Sequence, residues 1–331
     1  MLRPVLAPSV AATTIPASQP KVSVDQAVEL ARSDVISHQV TAATTLRSMA
    51  ASRSSQVLAA GSVQALMHLL ATSRWKEVHH AAGTALAELA AASRGIRDAV
   101  VQAGGCATLV RLLSDRNQRT QEAAAAAVWS LSVGGRAARC ALAPSGAAAP
   151  LVKVLRDNKA ARLAAASALY NLAHEPAAAA AVAGAGGIPV LVHLLTIGKK
   201  KAATAQKAEL RQAQAVAAGT LWCLADAQQE SRAAIGAAGG VQALVALLRG
   251  TVFKPINGGA PFQVAGCLRC LAQDSSLVDA INTAGAADPL VQLLCGGSDD
   301  GKEQAAGVLW RLARGGEAGG AAVADAGAIR P

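Results

Sequence analysis

The thiols Cys223, Cys267 and Cys270 are the side chains of this 331-residue chain whose type and spacing come nearest to metal chemistry. Cys267-Leu-Arg-Cys270 would place two sulfurs on one face of a helix, and Cys223 recurs at the position of Cys270 one sequence period earlier. A structural zinc site needs four ligands in a tetrahedral array, and no histidine or fourth cysteine stands at a matching position. No metal is expected, and the sulfurs read as small buried or groove-lining side chains. Two glycine-rich stretches fail as well. Gly296-Gly-Ser-Asp-Asp-Gly-Lys302 offers a phosphate-loop lysine, then Glu303 where serine or threonine must hold magnesium. Gly184-Ala-Gly186-Gly187 lacks the third spaced glycine of a dinucleotide fingerprint. No Ser/His/Asp or paired-carboxylate grouping stands apart from repeated positions. Neither a catalytic residue nor a cofactor is expected, and the chain reads as not an enzyme.

Binding chemistry is better represented. Trp129, Tyr170, Trp222 and Trp310 share one periodic position and make up four of only seven aromatic residues. Rigid amphipathic rings in a row suit the anchoring of a bound segment, and they equally suit filling the seam between helices about 8–10 Å apart. With Asn171, Cys223, Arg269 and Arg311 they form a candidate partner-binding groove, in which Trp222 and Trp310 are the anchors and Arg311 supplies charge. The small Gly219, Gly266 and Gly307, one helical turn away, leave space beside the rings for an inserted side chain. A second feature is a basic insert between Thr196 and Arg211 with Lys199, Lys200, Lys201 and Lys207. It suits an acidic partner or a weak nuclear signal, and its bland reading is a solvated charge run.

The elements that position these residues follow from composition and period. Hydrophobic residues make up 52% of the chain and aromatics only 2%, so the apolar content is Ala, Leu and Val, which favours helix over sheet. Glycines 61, 104, 146, 186, 239, 285 and 327 recur at intervals of 43, 42, 40, 53, 46 and 42. Each sits where a residue free to take positive φ reverses the chain between two helices. A period near 42 is that of an α-solenoid, whose units cannot bury their apolar faces alone. After each glycine a Leu-x-x-Leu-Leu stripe, as in Leu66 to Leu70 or Leu244 to Leu248, faces inward, and Leu247 is expected to be buried in it. The intervening position reads His68, Arg111, Lys153, His193, Ala246 and Gln292, a mixture that only solvent tolerates. A second stripe follows at Leu86/Leu89, Val128/Leu131, Leu169/Leu172, Leu221/Leu224, Leu268/Leu271 and Leu309/Leu312, with an earlier copy at Leu46/Met49 that reads as a cap.

At these residues the unit resembles the armadillo repeat. Ala217-Ala-Gly-Thr-Leu-Trp-Cys-Leu-Ala225 and Ala305-Ala-Gly-Val-Leu-Trp-Arg-Leu-Ala313 are similar to its third helix, in the plant or algal form, and Ala185-Gly-Gly-Ile-Pro-Val-Leu-Val-His-Leu-Leu195 to its second. The resemblance implies an all-α, right-handed superhelix of about six full repeats with an N-terminal half-repeat. The limits expected are 1–21 for a flexible segment, which also resembles a weak organellar transit segment, and 22–56 for the cap. Repeats follow at 57–99, 100–141, 142–182, 183–235, 236–281 and 282–323, with a partial unit at 324–331. The function it implies is a scaffold or adaptor that binds an extended peptide or protein along its concave groove. The alternatives are the substrate-recognition array of a ubiquitin-ligase-type assembly, a nuclear transport adaptor and a nucleic-acid-binding solenoid.

The chain departs from the importin-α-like pattern. The positions of that group's asparagine ladder read Ser48, Glu88, Ser130, Asn171, Cys223, Cys270 and Arg311, and those of its tryptophans carry Thr, Ala, Ser or Gly. The carry-over of import-signal binding fails everywhere but at Asn171. A net charge of +10 favours an acidic partner, while the interleaving of aromatic and basic residues that single-stranded nucleic acid requires is lacking except along the groove. Six dispersed cysteines suit a reducing compartment, so the expected place is the cytoplasm or nucleus and the expected state a monomer. The uncharged stretch from Pro176 to Gly198 is long enough to span a bilayer, but its internal glycines and proline argue against a span.

Overall fold

The computed structural model describes residues 22–50, 61–198, 204–252 and 260–328. Every regular element among them is a helix, and the chain divides into two compact units, Met1–Glu175 and Pro176–Pro331. The first unit holds α1 Val24–Ala31, α2 Ile36–Ser48, α3 Ser62–Thr72, α4 Lys76–Ala92, α5 Arg94–Gln102, α6 Gly105–Leu113, α7 Gln118–Ser132, α8 Arg136–Leu142, α9 Ala148–Asp157 and α10 Arg162–Leu172. The second holds α11 Pro176–Gly184, α12 Gly187–Thr196, α13 Thr204–Ala227, α14 Gln229–Ala237, α15 Gly240–Val252, α16 Ala260–Leu271, α17 Ser275–Thr283, α18 Ala287–Gly296, α19 Asp299–Arg314 and α20 Glu317–Asp325. Each repeat is a short first helix, a second helix behind the frame glycine, and a long third helix. The third helices lie side by side within each unit: α2 on α4, α4 on α7 and α7 on α10, then α13 on α16 and α16 on α19.

The frame glycines set the joint between first and second helices. All seven have φ between 68° and 80°, the left-handed region in which an L side chain is strained. Around Gly104 there is open space for a Cβ, so conformation and not crowding selects glycine there. Both leucine stripes point inward, and His68, Arg111, Lys153, His193, Ala246 and Gln292 are all exposed. Leu247, expected to be buried, is only half-buried, as is Leu294 in the next repeat; Leu244 and Leu248 carry the contact in α15. The repeat limits at 99, 141, 182, 235, 281 and 323 fall inside α5, α8, α11, α14, α17 and α20. The starts of these short first helices lie five or six residues before the expected limits.

Two devices close the turns. Seven residues before the second stripe, His79, Gln121 and Gln214 donate from the third helix to the C-terminal carbonyls of the second. The Gln214 amide reaches Leu194 O at 3.1 Å, Leu195 O at 3.0 Å and Ile197 O at 3.3 Å. At the other end of the third helix, Arg97 donates to Ala90 O at 2.6 Å and Arg232 to Ala225 O at 2.9 Å, placing a cation where the helix dipole favours one. Because Gln214 is buried, Gln214→Ala leaves helix-end carbonyls without their donor. Its expected cost is about 1–3 kcal/mol in urea unfolding. A loss under about 0.5 kcal/mol would show that water replaces the amide.

The insert after Thr196 is helical from Thr204 onward, so Lys207 lies within α13. Gln, Lys, Ala, Glu, Leu and Arg are all good helix formers, and no glycine or proline interrupts them. Lys199, Lys200 and Lys201 lie outside the described residues, as does the flexible segment expected at 1–21. No single described helix is long and apolar enough to cross a membrane, and the uncharged stretch from Pro176 is split into α11 and α12, bent by 79°.

Candidate functional site

The row holding Trp129, Tyr170, Trp222 and Trp310 also contains Arg47, Ala87 and Arg269 in the other repeats. A helix turns 100° per residue, so this position points sideways from the stripe, toward the third helix of the following repeat. Arg47 Nε lies 2.8 Å from Glu88 Oε1 on α4. In the second unit the Trp222 indole lies against Gly266 of α16, where an added Cβ would fall 2.5 Å from three of its ring atoms. Phe262, one turn earlier on α16, meets the same ring edge-on at 5.1 Å between centroids. The Arg269 chain in turn crosses Gly307 of α19, whose Cβ would fall 2.8 Å from Arg269 Cδ.

The room beside Gly266 and Gly307, expected to receive a partner's side chain, is therefore filled from within. Trp129, Tyr170 and Trp222 are only 4%, 1% and 7% exposed and offer no open ring face. Tyr170 also meets His174 edge-on at 4.9 Å. Burial, then the nearby Arg139, holds the His174 imidazole below its ordinary pKa, which keeps it neutral at pH 7. Asn171 is fully buried and donates to Ser132 Oγ at 2.9 Å, a tie between α10 and α7. Cys223 is buried too. Arg269 is half-buried, and its Nε is shut off from water without a hydrogen-bond partner.

Trp310 breaks the pattern. It is 56% exposed on α19, with the guanidinium carbons of Arg314 and Arg311 at 4.8 and 5.9 Å from its ring centroid. Of the candidate groove residues, Trp310 and Arg311 stand together on α19 with Arg314, which the sequence reading missed, while Arg269 of α16 lies against Gly307 of the same helix. Arg314 follows Trp310 by four residues, a spacing that puts both on one helical face.

Cys223, Cys267 and Cys270 are held as protonated thiols. Burial, reinforced by Asp226, pushes Cys223 up to about 12 and Cys270 up to about 11, and burial raises Cys267 well above the ordinary thiol range. Cys270 Sγ donates to Asp226 Oδ1 at 3.7 Å. Among the described residues no three His, Cys, Asp or Glu side chains converge on a point where a metal would sit.

The model of the Armadillo/beta-catenin-like repeat matches residues 93–133 and 274–314, which are α5 to α7 and α17 to α19 with their leading residues. The crystal structure of an engineered protein is similar at 31% identity over 92% of this chain and 71% of that one, with a TM-score of 0.78. The chain belongs to the armadillo repeat family. A second engineered protein is 32% identical over 77% of this armadillo chain and 98% of its own, with a TM-score of 0.65. A designed armadillo repeat protein in complex with the peptide (KR)4 shares the fold, with a TM-score of 0.62 at 22% identity over 75% of this chain and 99% of that one. Comparison with curated proteins gives no match.

Proposed function

We propose that this armadillo repeat protein is a non-catalytic adaptor that binds a protein or peptide partner, with the Trp310 face of α19 as one binding site. One observation carries the reading. Trp310 holds the row position that faces a following third helix; none follows α19 among the described residues, and its ring lies open between Arg311 and Arg314, available to a partner's side chain. Tryptophan and arginine are among the residues enriched at interface hot spots. The neighbour named for its (KR)4 complex takes a basic peptide. This chain carries a net +10, so the partner proposed is acidic. All six cysteines are free, in keeping with a monomer acting in the cytoplasm or nucleus.

The test is a selection of binders from a displayed peptide library, followed by fluorescence polarisation against Trp310→Ala. Loss of a hot-spot aromatic is expected to weaken binding about thirtyfold, with the melting temperature almost unchanged because the ring is mostly solvated. Binders with unchanged affinity for Trp310→Ala would remove this face from the site.

A further inference from the structure

The third helices of the first unit begin along one edge, and that edge is basic. Arg74 and Lys76 flank the start of α4, Arg116 and Arg119 that of α7, and Lys159 precedes α10. All five are exposed, and none makes an ion pair among the described residues. The three starts are tied together. His80 Nδ1 donates to Arg119 O at 3.1 Å, and Asn158 Nδ2 donates to Gln118 O at 2.8 Å. Trp75, 39% exposed, stands at the same edge with the Arg74 guanidinium 4.9 Å from its ring centroid.

The fold does not require these charges. In the second unit α19 opens on Asp299 and Asp300, at the corresponding place in its repeat. Local acids offset them only in part: Glu77 at the start of α4 and Asp115 before α7 are two carboxylates against five cations, and neither forms an ion pair with any of them. The positive ends of three parallel helices add to the same field.

We propose that this edge docks an acidic, extended protein segment. This goes beyond the Trp310 face, and it rests on the adaptor reading only for the class of partner. Neighbouring third helices stand about 8–10 Å apart, and three residues of polyproline II chain advance about 9.3 Å. A segment with an acidic side chain at every third residue therefore presents one carboxylate to each repeat. Arginine forks suit carboxylates, and a single ring beside them takes one apolar side chain; a stacked run of bases would need a ring for each.

The probe is a fluorescein-labelled decaglutamate peptide, read by polarisation at low and physiological salt against the full chain. Lys76→Glu, Arg119→Glu and Lys159→Glu together are expected to weaken its binding at least tenfold. A control of equal charge change, Arg94→Glu, Lys153→Glu and Lys302→Glu, is expected to weaken it threefold or less. Circular dichroism and melting confirm that both triples fold. The edge triple leaves Trp310, Arg311 and Arg314 untouched, so the edge and the α19 face stand or fall separately. Equal losses in the two triples would overturn the edge in favour of diffuse attraction. Tighter binding of an oligothymidine of equal charge, lost in the same edge triple, would overturn the protein partner in favour of nucleic acid. Absence of decaglutamate binding to the unaltered chain would overturn the proposal outright.

Discussion

Trp222→Ala is expected to lower the unfolding free energy by about 3–5 kcal/mol, the range for deleting a large buried aromatic. The ring is 7% exposed, lies on Gly266 and meets Phe262 edge-on at 5.1 Å, so its removal opens a void between α13 and α16. Both helices are committed to other contacts and collapse onto that void only in part. The measurement is urea unfolding followed by circular dichroism, with the midpoint and slope compared, because repeat arrays lose cooperativity when one seam weakens. The slope is expected to fall along with the midpoint as the α13–α16 seam parts first. If the midpoint barely moves, the indole is not a packing element and its burial does not describe the protein in solution. Trp310→Ala is the internal control, since the same residue type at the same repeat position is mostly solvated there.

The contrast between Trp222 and Trp310 shows what the sequence could and could not express. Periodicity fixed angles about each helix axis: it placed the frame glycines at positive φ, the two stripes inward, and His68 through Gln292 outward. Angles do not say which neighbour fills the room beside a residue. Gly266 and Gly307 read as openings because glycine has no side chain, and the structure shows that each small residue accommodates the ring or arginine of the preceding repeat. The row of rings and the row of glycines one turn earlier were legible; their pairing across repeats was not, because it depends on a register between third helices that one repeat's pattern does not contain. The Lys207 segment was misread because its length suggested a loop, while its helix formers simply extend α13. The basic edge escaped for another reason. Its cations sit in three separate repeats, so the total of +10 recorded their charge and not their convergence.

The pairing of ring and glycine has a consequence that separates it from mere crowding. Gly266→Leu is expected to cost about 3 kcal/mol, the upper part of the usual range for overpacking. Even its Cβ would fall 2.5 Å from the indole, and Phe262 holds that indole from the side. The cost appears although leucine is the better helix former by most of 1 kcal/mol, so the clash must exceed the propensity gain. In the Trp222→Ala background the sign reverses. The space that leucine needs is then the space the indole has left, and adding Gly266→Leu is expected to restore stability. The double-mutant cycle should show a favourable coupling of at least about 1 kcal/mol, as for residues in direct contact. Additive losses would mean that the two positions do not share one volume, and the argument that the Trp222 ring is received by Gly266 of the next repeat would fail.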